Sequence, residues 1–350
     1  MKTIPIATVE DAPIKIGTRV LMRVDYNVPM TVDGEISDDK RMVDSLPTVR
    51  YLLERGARVI LCSHFGRPDG KPEPQYSLRP VYEHLQELLP NVMVRFSEQT
   101  VGKAVEEQIE TMPNGSVLLL ENTRFTPDET ANNPSFAKQL ASLGEIFVND
   151  AFGAAHRAHA STVGVASYLP GYAGFLMARE IEYLSKITDN PKRPFTVIIG
   201  GKKASDKLPL ARKLADRADN VLVGGRIAQE WQDDGIKRRA KIYVAPDRGL
   251  DISLATVETW KPIIENSATI FWNGPLGQFD VDAKNGTGTR AVAQLVVNSH
   301  AVSVVGGGDT AAAVKDYQFT HVSTGGGAAL EYIEGTTLPG IACLKQKGEK

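Results

Sequence analysis

Four short apolar runs in the first half of the sequence end in polar turns of one chemical character. The run 20–24 leads into Asp25, Tyr26 and Asn27, and the run ending at Cys62 leads into Ser63, His64, Gly66 and Arg67. Leu118-Leu119-Leu120 is followed by Glu121, Asn122 and Arg124, and Phe147-Val148 by Asn149, Asp150, His156, Arg157 and His159. Guanidinium forks match carboxylate and phosphate oxygens two at a time. If these exits converge, Arg67, Arg124 and Arg157, with His64 nearby, make a pocket for a small polyanion carrying both groups. A single arginine more often sits in a solvated ion pair, but four exits of the same kind shift the reading toward a site. His156 and His159 stand at i, i+3 with no third ligand at a metal-binding spacing, so structural or substrate-contacting roles outweigh a metal centre. Glu121 has no second acid at a defined spacing, and a carboxylate dyad is not indicated.

The second half carries different chemistry at the corresponding points: Gly200-Gly201-Lys202-Lys203, Gly224-Gly225-Arg226, Asn273-Gly274-Pro275 and Gly306-Gly307-Gly308-Asp309-Thr310. Glycine allows close backbone approach and positive φ, so successive N–H groups can point at phosphate oxygens. The stretch after Gly308 reads as a helix start, whose free N–H groups favour an anion. A carboxylate at such a place makes sense beside Mg²⁺, which makes Asp309 a candidate metal contact. Lys203 and Lys207 at i, i+4 are expected on one helix face, within reach of a polyphosphate. One glycine loop alone is usually a tight turn; several, with two lysines and an aspartate, are more specific. Neither a P-loop pattern nor a dinucleotide fingerprint is present, and both readings are disfavoured. Together the halves suggest phosphoryl transfer between a small acid and a nucleotide.

The elements that must position these residues follow from the apolar pattern. Candidate strands span 19–24, 58–62, 117–120 and 146–148, then 196–199, 220–223, 241–244, 269–272 and 302–305. Helix-periodic segments such as 44–54, 78–89 and 135–143 lie between them. Strands that are apolar throughout and alternate with helices imply parallel sheets covered on both faces. Two doubly wound α/β domains fit the 350 residues, with a connecting helix over 179–187 and a ligand cleft between them. The expected division is an N-terminal domain at 1–175, a second domain at 176–335, and a C-terminal segment 336–350 returning to the first.

Composition narrows the classes further. With 40 Lys+Arg against 42 Asp+Glu, the chain has a formal charge of −2 and no global basic field, which argues against nucleic acid and membrane surfaces as partners. Cys62 and Cys343 are too few for a disulfide framework, which points to a reducing, cytoplasmic setting. The first 18 residues carry Glu10, Asp11 and Lys15 without a continuous apolar core and do not read as a secretory signal. Of 31 glycines, ten stand in runs of two or three, and all ten lie after residue 199.

Several long segments, in order, carry a family resemblance. They are Arg23-Val-Asp-Tyr-Asn-Val-Pro29, Ser63-His-Phe-Gly-Arg-Pro68, Leu119-Leu-Glu-Asn-Thr-Arg-Phe125 and the stretch 148–162. Trp272-Asn-Gly-Pro-Leu-Gly277, the stretches 286–293 and 304–314, and Ser323-Thr-Gly-Gly-Gly-Ala328 continue it. Over nearly its whole length the chain resembles phosphoglycerate kinase. The resemblance implies reversible transfer between 1,3-bisphosphoglycerate and Mg-ADP, giving 3-phosphoglycerate and Mg-ATP, by a cytoplasmic enzyme expected to be a monomer. It assigns the acid to Asp25, Asn27, Arg41, His64, Arg67, Arg124 and Arg157. The nucleotide falls to Gly201, Lys203, Lys207, Asn273, Asp280, Gly307, Gly308, Asp309 and Thr310, with Asp309 contacting Mg²⁺. Arg41 and Lys203 are the expected catalytic cations, neutralising the transferring group from opposite sides.

The second half departs from the family pattern. Its usual Gly-Gly-Ala-Lys-Val is here Gly200-Gly-Lys-Lys-Ala204, its Gly-Gly-Gly-Met-Ala is Gly224-Gly-Arg-Ile-Ala228, and its Gly-Val-Phe-Glu is Gly277-Gln-Phe-Asp280. A few tens of residues expected around 232–250, which help wall the nucleoside pocket, are missing. The leading expectation is an active kinase with a trimmed nucleotide site. The alternative is a non-catalytic phosphoglycerate-binding homologue with impaired nucleotide binding.

Overall fold

A computed structural model describes residues 6–280 and 283–348. The chain forms two compact units, one of Thr3–Ile181 with Thr337–Lys350, the other of Glu182–Thr336. The division falls inside the helix Phe175–Thr188.

The first unit is built on strands β1 (Arg19–Arg23), β2 (Arg58–Cys62), β3 (Val94–Phe96), β4 (Ser116–Leu119), β5 (Ile146–Asn149) and β6 (Gly171–Ala173). They form one sheet in the order β3-β4-β2-β1-β5-β6, and every pairing is parallel. Four of five β1 residues and all of β4 and β5 are buried, as expected for strands covered on both faces. Leu46, Val49 and Leu52 from the helix Lys40–Glu54, and Val81 and Leu85 from the helix Arg79–Leu88, pack into the core that contains Val20, Met22, Val59 and Leu61. β1 is central, paired with β2 on one side and β5 on the other, and the winding reverses there. Arg23 lies level with Cys62 and Asn149 at that reversal. Ligands bind outside the carboxyl ends of strands at such a switch point.

The C-terminal segment is stitched into this unit. Gly340 N–H donates to the Ala155 carbonyl at 2.9 Å, Asn149 Nδ2 donates to the Gly340 carbonyl at 3.0 Å, and Lys345 N–H reaches the Gly171 carbonyl at 2.9 Å.

The second unit contains β7 (Phe195–Ile199), β8 (Asn220–Val223), β9 (Lys241–Val244), β10 (Thr269–Asn273), β11 (Val302–Gly306) and β12 (His321–Val322). Their order is β12-β11-β10-β7-β8-β9, again parallel throughout. The reversal lies between β10 and β7, which are fully buried and set Asn273 beside Ile199. Edge strand β9 contrasts with them, being exposed or half-buried along its length. Residues 231–240, just before it, contain neither helix nor strand.

Candidate active site

The residues of the first unit that the resemblance assigns to the acid come from four strand exits and one helix. Arg67, Arg124 and Arg157 line one cavity of about 570 Å³ together with Asp69, Thr130 and His159. Beside it Arg41, from the first turn of the helix Lys40–Glu54, donates to Asp25 Oδ2 at 2.8 Å. Asp25 Oδ1 stands 3.9 Å from His64 Nδ1. The loop at Gly66 joins these two groups: its N–H donates to Asn27 Oδ1 at 2.9 Å, and its carbonyl accepts from Arg124 at 2.8 Å. Gly66 has φ +60°, and a Cβ there would meet the Tyr76 ring at 2.3 Å. A side chain at 66 would therefore displace both Asn27 and Arg124.

The cations in this cluster repel one another. Burial, then Arg157 and Arg23, pull the Arg124 guanidinium down to about 10. Burial followed by Arg23, Arg124, Arg157 and Arg41 holds His64 well below the usual imidazole range. His159 is lowered to about 4, by burial first and then by Arg124, Arg23 and Arg157. Near neutral pH both imidazoles are uncharged, while the arginines keep their charge. An anion entering the cavity relieves that repulsion.

In the second unit the glycine loops meet at the β7–β10 reversal. Gly200 N–H donates to the Asn273 carbonyl at 3.0 Å, and Gly201 N–H to the Pro275 carbonyl at 2.8 Å. Gly274, at φ +93°, approaches so closely that a Cβ would lie 2.0 Å from the Gly200 carbonyl oxygen. Only glycine fits there. Asn273 is fully buried; its Nδ2 donates to the Gly306 carbonyl at 2.8 Å and its Oδ1 accepts from Lys207 Nζ. Thr310 is buried and holds the loop, accepting from Gly274 N–H at 2.7 Å and donating to the Gly306 carbonyl at 2.9 Å. Gly307 (φ +90°) precedes the short helix Gly308–Ala313, and Asp309 lies exposed in its first turn.

One expectation fails. Lys203 does not share a helix face with Lys207, because it stands just before the helix Ala204–Ala215 with extended backbone (φ −99°, ψ 99°). The sequence pattern runs through that boundary without marking it. Lys203 is exposed, whereas Lys207 is drawn to Asn273. Next to Gly201 lies a cavity of about 220 Å³ whose lining includes Lys202, Arg226 and Arg248. Lys202 Nζ pairs with Asp280 Oδ2 at 2.6 Å, both side chains about half exposed.

Sequence reasoning assigned no site role to several residues that organise the first cluster. Arg23 is fully buried, and so is Glu129; Ser161 stands between them. Asn122 is buried and ties the 65–66 loop, accepting from Phe65 N–H at 3.1 Å and donating to the Phe65 carbonyl at 2.7 Å. Glu121 accepts from Ser77 Oγ, Leu78 N–H and Asn122 N–H at 2.7–2.8 Å, a structural use that occupies its carboxylate.

The family model described as phosphoglycerate kinase matches residues 9–234 and 230–336. A phosphoglycerate kinase of Chloroflexus aggregans is 43% identical over 386 residues, spanning 94% of this chain and 96% of the relative. One of Rubrobacter xylanophilus is 44% identical over 383 residues, spanning 95% and 97%. The solved phosphoglycerate kinase of Coxiella burnetii superposes with a TM-score of 0.83 at 35% identity, covering 99% of this chain and 100% of that one. That of Pyrococcus horikoshii gives 0.82 at 30%, covering 97% and 98%. An alignment of 386 positions against a chain of 350 leaves at least 36 positions of the Chloroflexus protein without a counterpart here. The family match itself breaks at 230–234, where the chain enters the segment without helix or strand. With a match running through both units, the chain belongs to the phosphoglycerate kinase family.

Proposed function

We propose that the chain transfers a phosphoryl group reversibly between 1,3-bisphosphoglycerate and ADP, giving 3-phosphoglycerate and ATP. Family membership supports the activity; the cluster of Arg67, Arg124 and Arg157 around one cavity supports the place of the acid. That cluster is the observation that carries the reading, since mutually repelling cations, Arg124 buried, Arg157 half-buried and Arg67 exposed, beside neutral imidazoles suit a ligand bearing carboxylate and phosphate together.

The acid's own carboxylate oxygen is the nucleophile, so no general base is required. Its attack on the terminal phosphorus of ATP forms the acyl phosphate bond as the bond to ADP breaks. What the protein supplies is position and positive charge. Asp25 and Asn27 orient the acid. Arg41 spends one nitrogen on Asp25, and its guanidinium has further donors for the transferring group. Lys203, exposed at the end of the Gly200–Gly201 turn, supplies charge from the nucleotide unit. Lys207, Asn273 and the Gly307–Thr310 turn hold the phosphates, and Asp280 the ribose.

Asp309 suits a Mg²⁺ carried in with the nucleotide. Among the described residues no group of three or more His, Cys, Asp or Glu gathers into a cage, and Mg²⁺ bound to phosphates ordinarily needs only one or two carboxylates. When bound, the ion neutralises charge on phosphate oxygens. Free thiols at Cys62 and Cys343 support a cytoplasmic setting, and the family resemblance points to a monomer.

The break in the family match at 230–234 favours one competing reading, a protein that binds the acid without turning it over. A coupled assay with 3-phosphoglycerate, Mg²⁺ and a panel of nucleoside triphosphates separates the two. Turnover with at least one nucleotide is expected. Intact phosphoglycerate binding with no turnover on any nucleotide would leave only the binding protein.

A further inference from the structure

Arg23 closes β1 at the centre of the first sheet, and its side chain is fully buried. Its guanidinium is spent in three directions: Nε donates to Ser161 Oγ at 2.8 Å, one terminal nitrogen to the Val24 carbonyl, and the other to His64 Nδ1 at 3.0 Å. Ser161 passes the contact on, its hydroxyl donating to Glu129 Oε1 at 2.6 Å and its N–H to Glu129 Oε2 at 3.0 Å. A buried cation and a buried carboxylate are thus linked through one hydroxyl, which fixes the guanidinium in place.

A guanidinium has five N–H donors and no acceptor. The ring nitrogen it meets must therefore be the acceptor, and in a neutral imidazole the proton then resides on the other nitrogen. Among the described residues nothing else competes for Nδ1. The nearest carboxylate oxygen, Asp25 Oδ1, is 3.9 Å away and its partner oxygen is taken by Arg41, a separation too long for a hydrogen bond. Nε2 of His64 has no hydrogen-bond partner among the described residues.

We propose that Arg23 is a positioning residue: by donating to Nδ1 it holds His64 as the Nε2–H tautomer and reserves that N–H as a donor to the bound acid. The groups facing His64 agree. Arg23, Arg124, Arg157 and Arg41 all oppose a second proton, and Asp25 alone favours one. His64 thereby offers a directed donor without adding a charge that would titrate near neutral pH. The donation to the acid rests on His64 being a substrate contact; the tautomer rests only on Arg23.

Long-range ¹H–¹⁵N correlation spectra of the ¹⁵N-labelled protein test the tautomer directly, with His64 assigned by the signal lost in His64→Gln. The expected spectrum shows a pyridine-like Nδ1 and a pyrrole-like Nε2, unchanged from pH 5.5 to 8.5. A pyrrole-like Nδ1, or a midpoint near the ordinary imidazole value of about 6.5, overturns the proposal. On adding 3-phosphoglycerate the Nε2–H signal is expected to shift. A stationary signal would remove His64 from the acid site while the Arg23 tautomer lock stands. In Arg23→Met, His64 is expected to titrate, and KM for 3-phosphoglycerate to rise about tenfold with kcat changed less than about threefold. That rise should be pH-dependent. If this variant does not fold, the wild-type spectrum decides alone, and Ser161→Ala, which leaves the Arg23–His64 contact in place, is expected to keep the tautomer.

Discussion

The two halves of the molecule use the same kind of parallel sheet and the same kind of switch point, yet hold their functional side chains in different ways. Around the arginine-lined cavity, side chains do the holding: Asp25 holds Arg41, Asn27 and Arg124 clamp the Gly66 backbone, and Arg23 meets His64. Around the glycine loops, backbone meets backbone directly, through Gly200 to Asn273 and Gly201 to Pro275, with the Asn273 and Thr310 side chains tying in the Gly306 turn. The cations there, Lys202, Lys203 and Arg226, are exposed. A site built from interlocked buried and half-buried side chains is organised before its ligand arrives, at the cost of charge repulsion and desolvation. A site built from turns supplies N–H groups and leaves its charges in water, where they are screened and weak until a ligand orders them. The family match breaks at 230–234, within the second unit, while the turns at Gly200 and Gly274 keep their backbone hydrogen bonds.

The comparison breaks most visibly at Lys203. Lys203→Ala is expected to lower kcat by about a thousandfold, as removal of a charge acting on a transferring phosphoryl group does. Its KM for 3-phosphoglycerate should stay near the wild-type value. Steady-state kinetics check both, and near-normal turnover would take Lys203 out of the mechanism.

Arg124→Ala should act in the opposite sense, raising KM for 3-phosphoglycerate by about a hundredfold, because a charge-assisted contact and the Gly66 clamp go together. Nucleotide KM serves as the control and is expected to change little.

Asp150 extends the comparison to stability. It is buried at the end of β5, accepts from Met177 N–H at 3.0 Å, and is pushed up by burial to about 6. A carboxyl whose folded value lies above its unfolded one contributes stability below about pH 4 and loses it as pH rises through about 6. At pH 7.5 the loss amounts to about 3 kcal/mol. Asp150→Asn should therefore gain stability relative to wild type between pH 4.5 and pH 7.5, measured as the shift in urea midpoint. Parallel midpoints at the two pH values would show that burial does not raise the Asp150 carboxyl.

The smallest effect is expected at the rim of the glycine loops. Lys202→Ala breaks the half-exposed pair with Asp280 and should move nucleotide KM by no more than about threefold, in line with screened surface pairs. A change of a hundredfold would mean that this pair holds the nucleotide as firmly as Arg124 is expected to hold the acid.

Much of this contrast was legible in the sequence, for physical reasons. Interior strands such as Arg58–Cys62 and Asn220–Val223 carry apolar, β-branched runs bounded by turns, and their limits agree with the structure. The three strands that escaped notice, Val94–Phe96, Gly171–Ala173 and His321–Val322, have three residues or fewer, too short to show a period. The arginines at strand exits and the clustered glycines were visible because their types are unusual at those points. Arg23 was not singled out as a site residue. It ends a strand buried on both faces, where alternation does not tell which side a residue points to. Its partners Glu129 and Ser161 lie more than a hundred residues away and meet it only in the fold. Lys203 was placed on a helix face because helix starts are poorly marked by periodicity, and its extended backbone appears only in the structure.

Calorimetric titration of 3-phosphoglycerate into the nucleotide-free protein tests the central contrast most directly, with Arg124→Ala and Lys203→Ala run alongside. The acid is expected to bind wild type and Lys203→Ala with similar affinity, and Arg124→Ala at least about tenfold more weakly. Equal weakening in both variants, or no binding to wild type without nucleotide, would contradict an acid site complete within the first unit.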